Sequence, residues 1–340
     1  MVEEKVDKNN YSTRAIVEAA LISVIISVIM IITGYLPIVS FIGTILLPIP
    51  VAILYIRHNS KITITAIFLS IILTSLVYNP IMAIYSAITC SIVGIALGYC
   101  VKKNKKSSIT LLFLAIGCAI SNILTVAFSM QFIEKVGFMN FVTDKVQFMK
   151  QAMKISLDQL KATYMQAGIT PKQLKLLDDY YEMLKKVDVM LILVVIPAAI
   201  FLYSFISAYL NYIVSRAILS KLNYKMEEVL PFSRVYVSNI VGAVLIGIVS
   251  IGIIMAAKKI TGGVYLQNSS QILLQFVFII NGLAASTYFL RVKRNLSKPL
   301  VVVILGLTAL SPLGNIYFSI GLMEMALDFR KLDPYRIKRK

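Results

Sequence analysis

Residue types on which many enzymes depend are scarce or missing in this chain. Its 340 residues include one histidine, His58, three cysteines and no tryptophan. The sequence has no GxxxxGK[ST] phosphate loop, no HExxH zinc motif and no GxSxG nucleophile elbow. We therefore expect no enzymatic activity, no catalytic residues, no bound metal and no cofactor. His58 lies between Arg57 and Lys61, where we expect it to be solvated or near lipid headgroups.

Charge is also scarce. Only 15% of the residues are charged while 58% are hydrophobic, and the mean hydropathy is +0.82. Soluble domains have roughly a quarter charged residues and about half apolar ones. The apolar residues occur in runs of about 20, the length that crosses a hydrocarbon core of about 30 Å. The sequence therefore predicts an all-α, polytopic transmembrane helical bundle whose main partner is the lipid bilayer.

The hydropathy pattern divides the chain into four parts. Residues 1–130 hold the first five spans, 131–187 an extramembrane helical hairpin, 188–327 the remaining spans and 328–340 a basic cytoplasmic tail. The nine expected spans are Ala15–Thr33, Leu36–Ile56, Ile62–Tyr78, Ile81–Val101, Ile109–Met130, Val189–Ile213, Val235–Ala257, Gln271–Leu290 and Leu300–Leu327.

Basic residues outnumber acidic ones, 34 to 16, and they cluster at the ends of the apolar runs. This distribution is typical of cytoplasmic loops and not of a nucleic-acid-binding surface. A cytoplasmic amino terminus places the loops 57–61, 102–106, 214–234 and 291–298 inside. Nine simple crossings would leave the basic carboxyl end outside, whereas a basic tail is expected in the cytoplasm.

Two apolar segments are interrupted by proline and glycine. The break Ser311-Pro312-Leu313-Gly314-Asn315 divides the last span, and we expect a re-entrant or paired half-helix that returns the tail to the cytoplasm. Near the amino end, Gly34-Tyr35-Leu36-Pro37 and Leu47-Pro48-Ile49-Pro50 interrupt the second span. Broken helices build the central site of many transporters. The alternative is a loop and one short kinked helix at each place.

The segment 131–187 carries an apolar face at helical spacing from Val142 to Tyr164. Gly168 is expected to end this helix, and Thr170 with Pro171 to begin a second one. The topology places the resulting amphipathic hairpin outside. It is expected to lie on the membrane, cap a substrate entrance, meet a partner or simply pack over the helix ends.

Two acidic residues fall inside the expected spans, and intramembrane charges are functional candidates by default. Glu18 lies four residues after Arg14, so an i,i+4 ion pair accounts for it. Glu324 is a possible functional acid. It either faces a cavity or pairs with Arg330 at the interface, and the spacing favours the pair.

Small residues form a row on the fourth span. Ser86, Cys90, Gly94 and Gly98 recur every fourth residue, which lets another helix approach closely. We expect Gly94 and Gly98 to serve helix packing or partner docking.

Polar side chains gather near the expected outer ends of the early spans. They are the candidates for binding a polar solute, although hydrogen bonding between helices is the alternative for the asparagines. The candidates are Tyr35, Asn79, Tyr85, Asn122 and Gln131.

Four short motifs carry a resemblance to a known family: Thr13-Arg14-Ala15-Ile16-Val17-Glu18-Ala19-Ala20, Tyr35-Leu36-Pro37, the stretch from Leu47-Pro48-Ile49-Pro50 to Arg57-His58, and Asn79-Pro80. With them the chain resembles, over most of its length, the uncharacterised bacterial membrane family typified by YybS. The resemblance implies a multi-pass protein of the bacterial cytoplasmic membrane and no established activity.

Residues 14–213 are more remotely similar to the six-helix S components of energy-coupling-factor vitamin transporters. The resemblance implies small-solute binding or import, with a transmembrane coupling subunit and ATPases as partners. The S components dock that subunit through an AxxxA row, which Ala15 and Ala19 match here. This chain departs from them in its long hairpin, its further spans and its lack of tryptophan. The alternative function is a non-transport scaffold that recruits envelope or signalling proteins.

Overall fold

A computed structural model describes residues 13–166, 179, 182, 185, 187–311 and 314–333. In these residues the chain forms helices and no strand, which confirms the all-α class. Two π-helical turns, Ser129–Glu134 and Phe289–Lys293, and a 3-10 turn, Phe232–Arg234, follow or join the α-helices. The α-helices are α1 Thr13–Tyr35, α2 Pro37–Leu46, α3 Pro48–Arg57, α4 Ser60–Ser75, α5 Pro80–Lys102, α6 Ser107–Phe128, α7 Phe138–Gln166, α8 Val189–Lys221, α9 Asn239–Ala257, α10 Gly263–Tyr288, α11 Lys298–Leu310 and α12 Asn315–Leu327.

Within the described residues, seven helical segments are long and apolar enough to cross a membrane, two fewer than expected. They are Thr13–Tyr35, Ser40–Arg57, Pro80–Lys102, Ser107–Glu134, Val189–Lys221, Asn239–Ala257 and Gly263–Lys293. The third expected span is α4, with 16 residues, and the last is divided into α11 and α12, with 13 residues each. At about 1.5 Å per residue such helices reach only about 20–24 Å, less than a hydrocarbon core of about 30 Å.

Prolines determine where the second expected span is broken. Leu36 leaves the helical region, with φ −113° and ψ 88°, because the residue before a proline avoids α conformation. Pro37 and Pro48 then occupy the first positions of α2 and α3, where a missing N–H costs no hydrogen bond. Leu47 between them keeps helical dihedrals. α2 and α3 meet without a loop at Leu47, whose N–H donates to the Gly43 carbonyl, so the segment after Leu36 is helical throughout and contains one candidate span, Ser40–Arg57.

The last expected span forms a pair of short helices. Ser311 is extended, with φ −89° and ψ 169°, and ends α11, while Pro312 and Leu313 lie outside the described residues. Val301 and Leu305 on α11 pack against Tyr317 on α12. The paired arrangement agrees with the expectation, and the return of the chain to the cytoplasm stays a prediction.

The first half of the expected hairpin is α7, a helix of 29 residues. Val142 and Val146 on its apolar face are buried, whereas Phe148 and Met165 further along are exposed. The expected helix end at Gly168 and the second helix from Thr170 lie outside the described residues.

The chain forms two compact units, residues 1–137 with 200–229, and residues 138–199 with 230–340. In the first unit α3 is central, with Val51, Ala52 and Leu54 fully buried. It packs on α5 at the row of small residues. A Cβ added at Gly94 would lie 2.7 Å from the Pro48 carbonyl oxygen, and one at Gly98 2.8 Å from Tyr55 Cβ.

The second unit is organised around α10. This helix packs against α9 on one side and against α12 on another. At the crossing of α10 and α12, a Cβ on Gly282 would overlap the Tyr317 carbonyl oxygen, and one on Gly321 would overlap the Phe278 carbonyl oxygen. The two backbones are therefore in direct contact at this crossing.

Candidate functional site

An open-sided cavity of about 300 Å³ lies in the first unit, between α5 and the end of α6. Most of its surface is apolar, and no charged side chain lines it. The lining residues are Tyr85, Ile88, Thr89, Leu124, Ala127, Phe128, Gln131 and Phe132.

Three aromatic rings form a continuous row along this cavity. The Tyr85 ring stacks on Phe128 with centroids 4.8 Å apart, and Phe128 stacks on Phe132 at the same distance. The row exists because α6 continues into the π-helical turn Ser129–Glu134, which places Phe132 beside Phe128. Single π turns occur frequently at functional sites. Phe132 is about half exposed, so the end of the row is open.

A chain of hydrogen bonds holds the first ring in place. The Tyr85 hydroxyl donates to Thr125 Oγ1 at 2.8 Å, and the Thr125 hydroxyl donates to the Ser121 carbonyl at 2.7 Å. The Ser121 hydroxyl donates back to the Thr89 carbonyl on α5 at 3.0 Å. The orientation of Tyr85 is thus fixed before any ligand binds.

Gln131 supplies the available polar group. Its side chain is exposed at the edge of the cavity and makes no hydrogen bond to the described part of the chain. An amide offers both donors and an acceptor to a ligand. Tyr85 and Gln131 are therefore the two sequence candidates that the structure brings together.

Two other candidates serve the fold at helix ends. The Asn79 side-chain oxygen accepts from the backbone N–H of Ile81 at 2.9 Å and caps α5. The Tyr35 hydroxyl donates to the Val77 carbonyl at 2.7 Å, outside the cavity. Neither lines the cavity with Tyr85, and their part in solute binding stays a prediction.

Asn122 follows the alternative expected for the asparagines. Its side-chain amide donates to Ser204 Oγ at 2.9 Å and joins α6 to α8. Phe128 and Phe132 are apolar and so were not among the polar candidates. Their i,i+4 spacing across the expected end of the span at Met130 was the signal that could have found them.

The row of alanines on α1 is covered within the chain. Ala15 and Ala19 are only 4% and 7% exposed, and Ala19 packs with Leu54 and Ala66. A docking row must be open to its partner. Of the two roles expected for this row, the geometry fits helix packing, and docking of a partner stays a prediction.

Glu18 has more cationic neighbours than the sequence suggested. The expected partner, Arg14 Nε, lies 3.6 Å from the carboxylate, while Arg57 Nη1 lies at 3.4 Å and His58 Nε2 at 2.8 Å. The expectation of a solvated His58 is wrong, because its ring is mostly buried against Glu18. Together they form an ion cluster at one end of the first unit.

Glu324 pairs with Arg330, as the spacing indicated, but the pair is buried. Arg330 Nε donates to Glu324 Oε1 at 2.7 Å, and their side chains are 0% and 3% exposed. The remaining guanidinium donors bind the Asn281 side-chain oxygen at 3.0 Å and the carbonyls of Ser233 and Val235 at 3.0 and 2.8 Å. The pair thus lies inside the second unit, and its depth in the membrane stays a prediction.

Asn281 completes this buried network through hydrogen bonds between helices. It is fully buried, its amide donates to the Gly321 carbonyl at 2.8 Å, and its oxygen accepts from Val237 N at 3.3 Å as well as from Arg330. Glu324 Oε2 has no hydrogen-bond partner among the residues that the structure describes. The network ties α10, the end of α12 and the segment before α9 together.

The described residues contain no group of three or more histidine, cysteine, aspartate and glutamate side chains that could hold a metal ion. The three cysteines are free and buried.

The sequence model of a family described as predicted membrane protein (DUF2232) matches residues 24–325. No curated protein and no solved structure matches the chain. Because the match covers most of its length, this chain belongs to the DUF2232 family of predicted membrane proteins.

Proposed function

We propose that the chain is a membrane component that binds a small, flat, uncharged solute in the cavity between α5 and the π-helical end of α6. One observation carries the proposal: a row of three aromatic rings ends beside an amide that has no partner in the described chain. The protein binds this solute and does not transform it.

The chemistry of the lining restricts the solute. Aromatic pairs attract at centroid distances of about 4.5–7 Å, so a planar ring can extend the row beyond Phe132. A volume of about 300 Å³ is at the lower limit of ligand pockets, which suits one or two rings. Without a charged side chain in the lining, an ionised solute would lose its hydration without compensation. The Gln131 side-chain amide supplies the hydrogen bond that recognises a polar group of the solute.

Import is the further step that the resemblance to S components implies. The chain has no phosphate loop, so ATP-driven import requires partner subunits. Since Ala15 and Ala19 are covered, a coupling subunit would have to dock elsewhere. The opposite face of α1, with Val17 52% and Leu21 62% exposed, is open for that contact.

Binding can be tested with 2-naphthol, a neutral two-ring probe. Its fluorescence is titrated against purified full-length protein in detergent, and the chain has no tryptophan whose emission would interfere. Ala127→Phe should abolish the protein-dependent change because the added ring fills the cavity. Ile123→Phe is the matched control, since Ile123 is one turn earlier on α6, exposed and outside the cavity.

Equal titration curves for the wild type and Ala127→Phe would overturn the cavity as the binding site. Absence of any protein-dependent signal, together with no small molecule in extracts of the purified protein, would favour the scaffold function instead.

A further inference from the structure

The basic residues of the first unit are concentrated at one end. Residues 13–137 and 200–229 contain eleven lysines and arginines, and ten of them lie at or just beyond the ends of α1, α3, α5, α6 and α8 on that side. Lys135 is the exception in these residues. This inference uses a surface apart from the aromatic cavity and does not depend on the proposed solute.

Hydrogen bonds bring three loops that are distant in sequence to this end. Arg57 Nε donates to the Tyr224 hydroxyl at 3.1 Å, which joins the loop after α3 to the segment after α8. The backbone N–H of Ser107 donates to Glu227 Oε2 at 3.0 Å, which joins that same segment to the start of α6. The basic groups of all three loops thus share one surface.

The loop between α5 and α6 presents exposed lysines at this end of the first unit. Asn104 adopts a left-handed conformation, with φ 47°, and turns the chain sharply after α5. Lys103, Lys105 and Lys106 around it are exposed, and their ammonium groups form no hydrogen bond or ion pair with the described residues. Arg216 differs, since it pairs with Glu228 at 2.7 Å.

Aromatic rings lie next to these cations. Lys102 Nζ lies 5.7 Å from the centre of the Tyr55 ring and also donates to the His58 carbonyl. Tyr99 on α5 and Phe113 on α6 pack with ring centroids 6.1 Å apart. Tyr99 lies about one turn before the end of α5, and Phe113 about two turns after the start of α6. Tyrosines at the ends of membrane spans mark the depth of lipid headgroups.

We propose that Lys103, Lys105 and Lys106 bind the phosphate of an anionic phospholipid at this end of the first unit. Unneutralised ammonium groups at headgroup depth attract anionic lipid, and lysine stems can extend along the apolar surface to reach it. An acidic protein would match the charge but would not account for the aromatic rings at the same depth.

Native mass spectrometry of the full-length protein in detergent tests the proposal. The protein is mixed with phosphatidylglycerol or with phosphatidylcholine of the same acyl chains, and the retained lipids are counted. The wild type should retain phosphatidylglycerol preferentially. Each lysine near an anionic surface is expected to raise the affinity for anionic lipid about fivefold. The variant K103Q/K105Q/K106Q should therefore lose that preference by more than roughly tenfold.

The matched control is K135Q/K258Q/K259Q, which removes three exposed lysines from other loops. It should retain phosphatidylglycerol as the wild type does. An equal loss in both variants would attribute binding to net charge and overturn the site. Displacement of the lipid by millimolar inorganic phosphate, or no preference in the wild type, would equally overturn the assignment to a phospholipid.

Discussion

Arg330 is a buried cation whose hydrogen-bond partners come from three stretches of the chain. Glu324 is on α12, Asn281 is on α10, and the carbonyls of Ser233 and Val235 precede α9. Desolvating a guanidinium is expensive unless its donors are satisfied. The side chain therefore restrains three segments of the second unit at once.

Replacing Arg330 with methionine should destabilise the protein strongly, because Glu324 would remain buried without a counter-charge. Breaking a buried pair typically costs about 3–5 kcal/mol. The free energy of unfolding is measured by circular dichroism during denaturant titration of the protein in detergent.

The double variant R330M/E324L should recover part of that loss, since it removes both charges. Lys331→Met, at the exposed neighbouring position, is the control and should change little. An R330M protein as stable as the wild type would contradict a structural role for the network.

Sequence reasoning located part of this network and not the rest. Glu324 and Arg330 are six residues apart across the end of a helix, so their pairing could be predicted locally. Asn281 and Arg330 are 49 positions apart in the sequence. Only the crossing of α10 and α12 brings their side chains within hydrogen-bonding distance. For the same reason the cavity was only half predicted, because the stacking of Phe128 on Tyr85 depends on how α5 packs against α6.

The crossing of α10 and α12 depends on two glycines, Gly282 and Gly321. A Cβ at Gly321 would overlap the Phe278 carbonyl oxygen, so α12 would have to move away from α10. Small residues at such crossings let helix backbones approach closely in membranes.

Gly321→Ala should lower the free energy of unfolding by about 1–3 kcal/mol, the usual cost of overpacking. Gly306→Ala on α11 is the matched control, because nothing lies within 4 Å of its Cβ position. Alanine there should be neutral or add up to about 1 kcal/mol through helix propensity. If both variants unfold at the same denaturant concentration, the crossing is not as tight as described.

The helices themselves were largely predictable, because apolar runs and prolines determine where they begin and end. Pro37, Pro48 and Pro80 each begin a helix. The break after Leu310 coincides with the proline and glycine among the next four residues. The number of full-length spans was not predictable from apolar content alone. Residues 60–75 are as apolar as a span, but their helix ends after 16 residues.

The orientation of the molecule in the membrane stays a prediction from its charge distribution. Exposed basic loops after α5 and before α11 should face the cytoplasm, and α7 should face outward. Single cysteines are introduced at Lys103, Asn295 or Lys154, which are all exposed, in a protein whose three native cysteines have been replaced.

An impermeant thiol reagent applied to intact cells should label the cysteine at 154 and leave those at 103 and 295 unlabelled until the cells are opened. Labelling at 103 without labelling at 154 would invert the topology. It would also place the proposed phospholipid site in the outer leaflet.

The contact between α10 and α12 also limits how the sequence can drift. A new side chain in a crowded place can usually be accommodated when a neighbour becomes smaller. At Gly282 and Gly321 the obstructing atoms are main-chain carbonyl oxygens, which every amino acid carries. No second substitution at Tyr317 or Phe278 can remove them, so a larger residue at either glycine could be rescued only by displacing a whole helix. These two glycines therefore cannot be replaced through compensating substitutions at neighbouring positions, whereas the lipid-facing residues around them can.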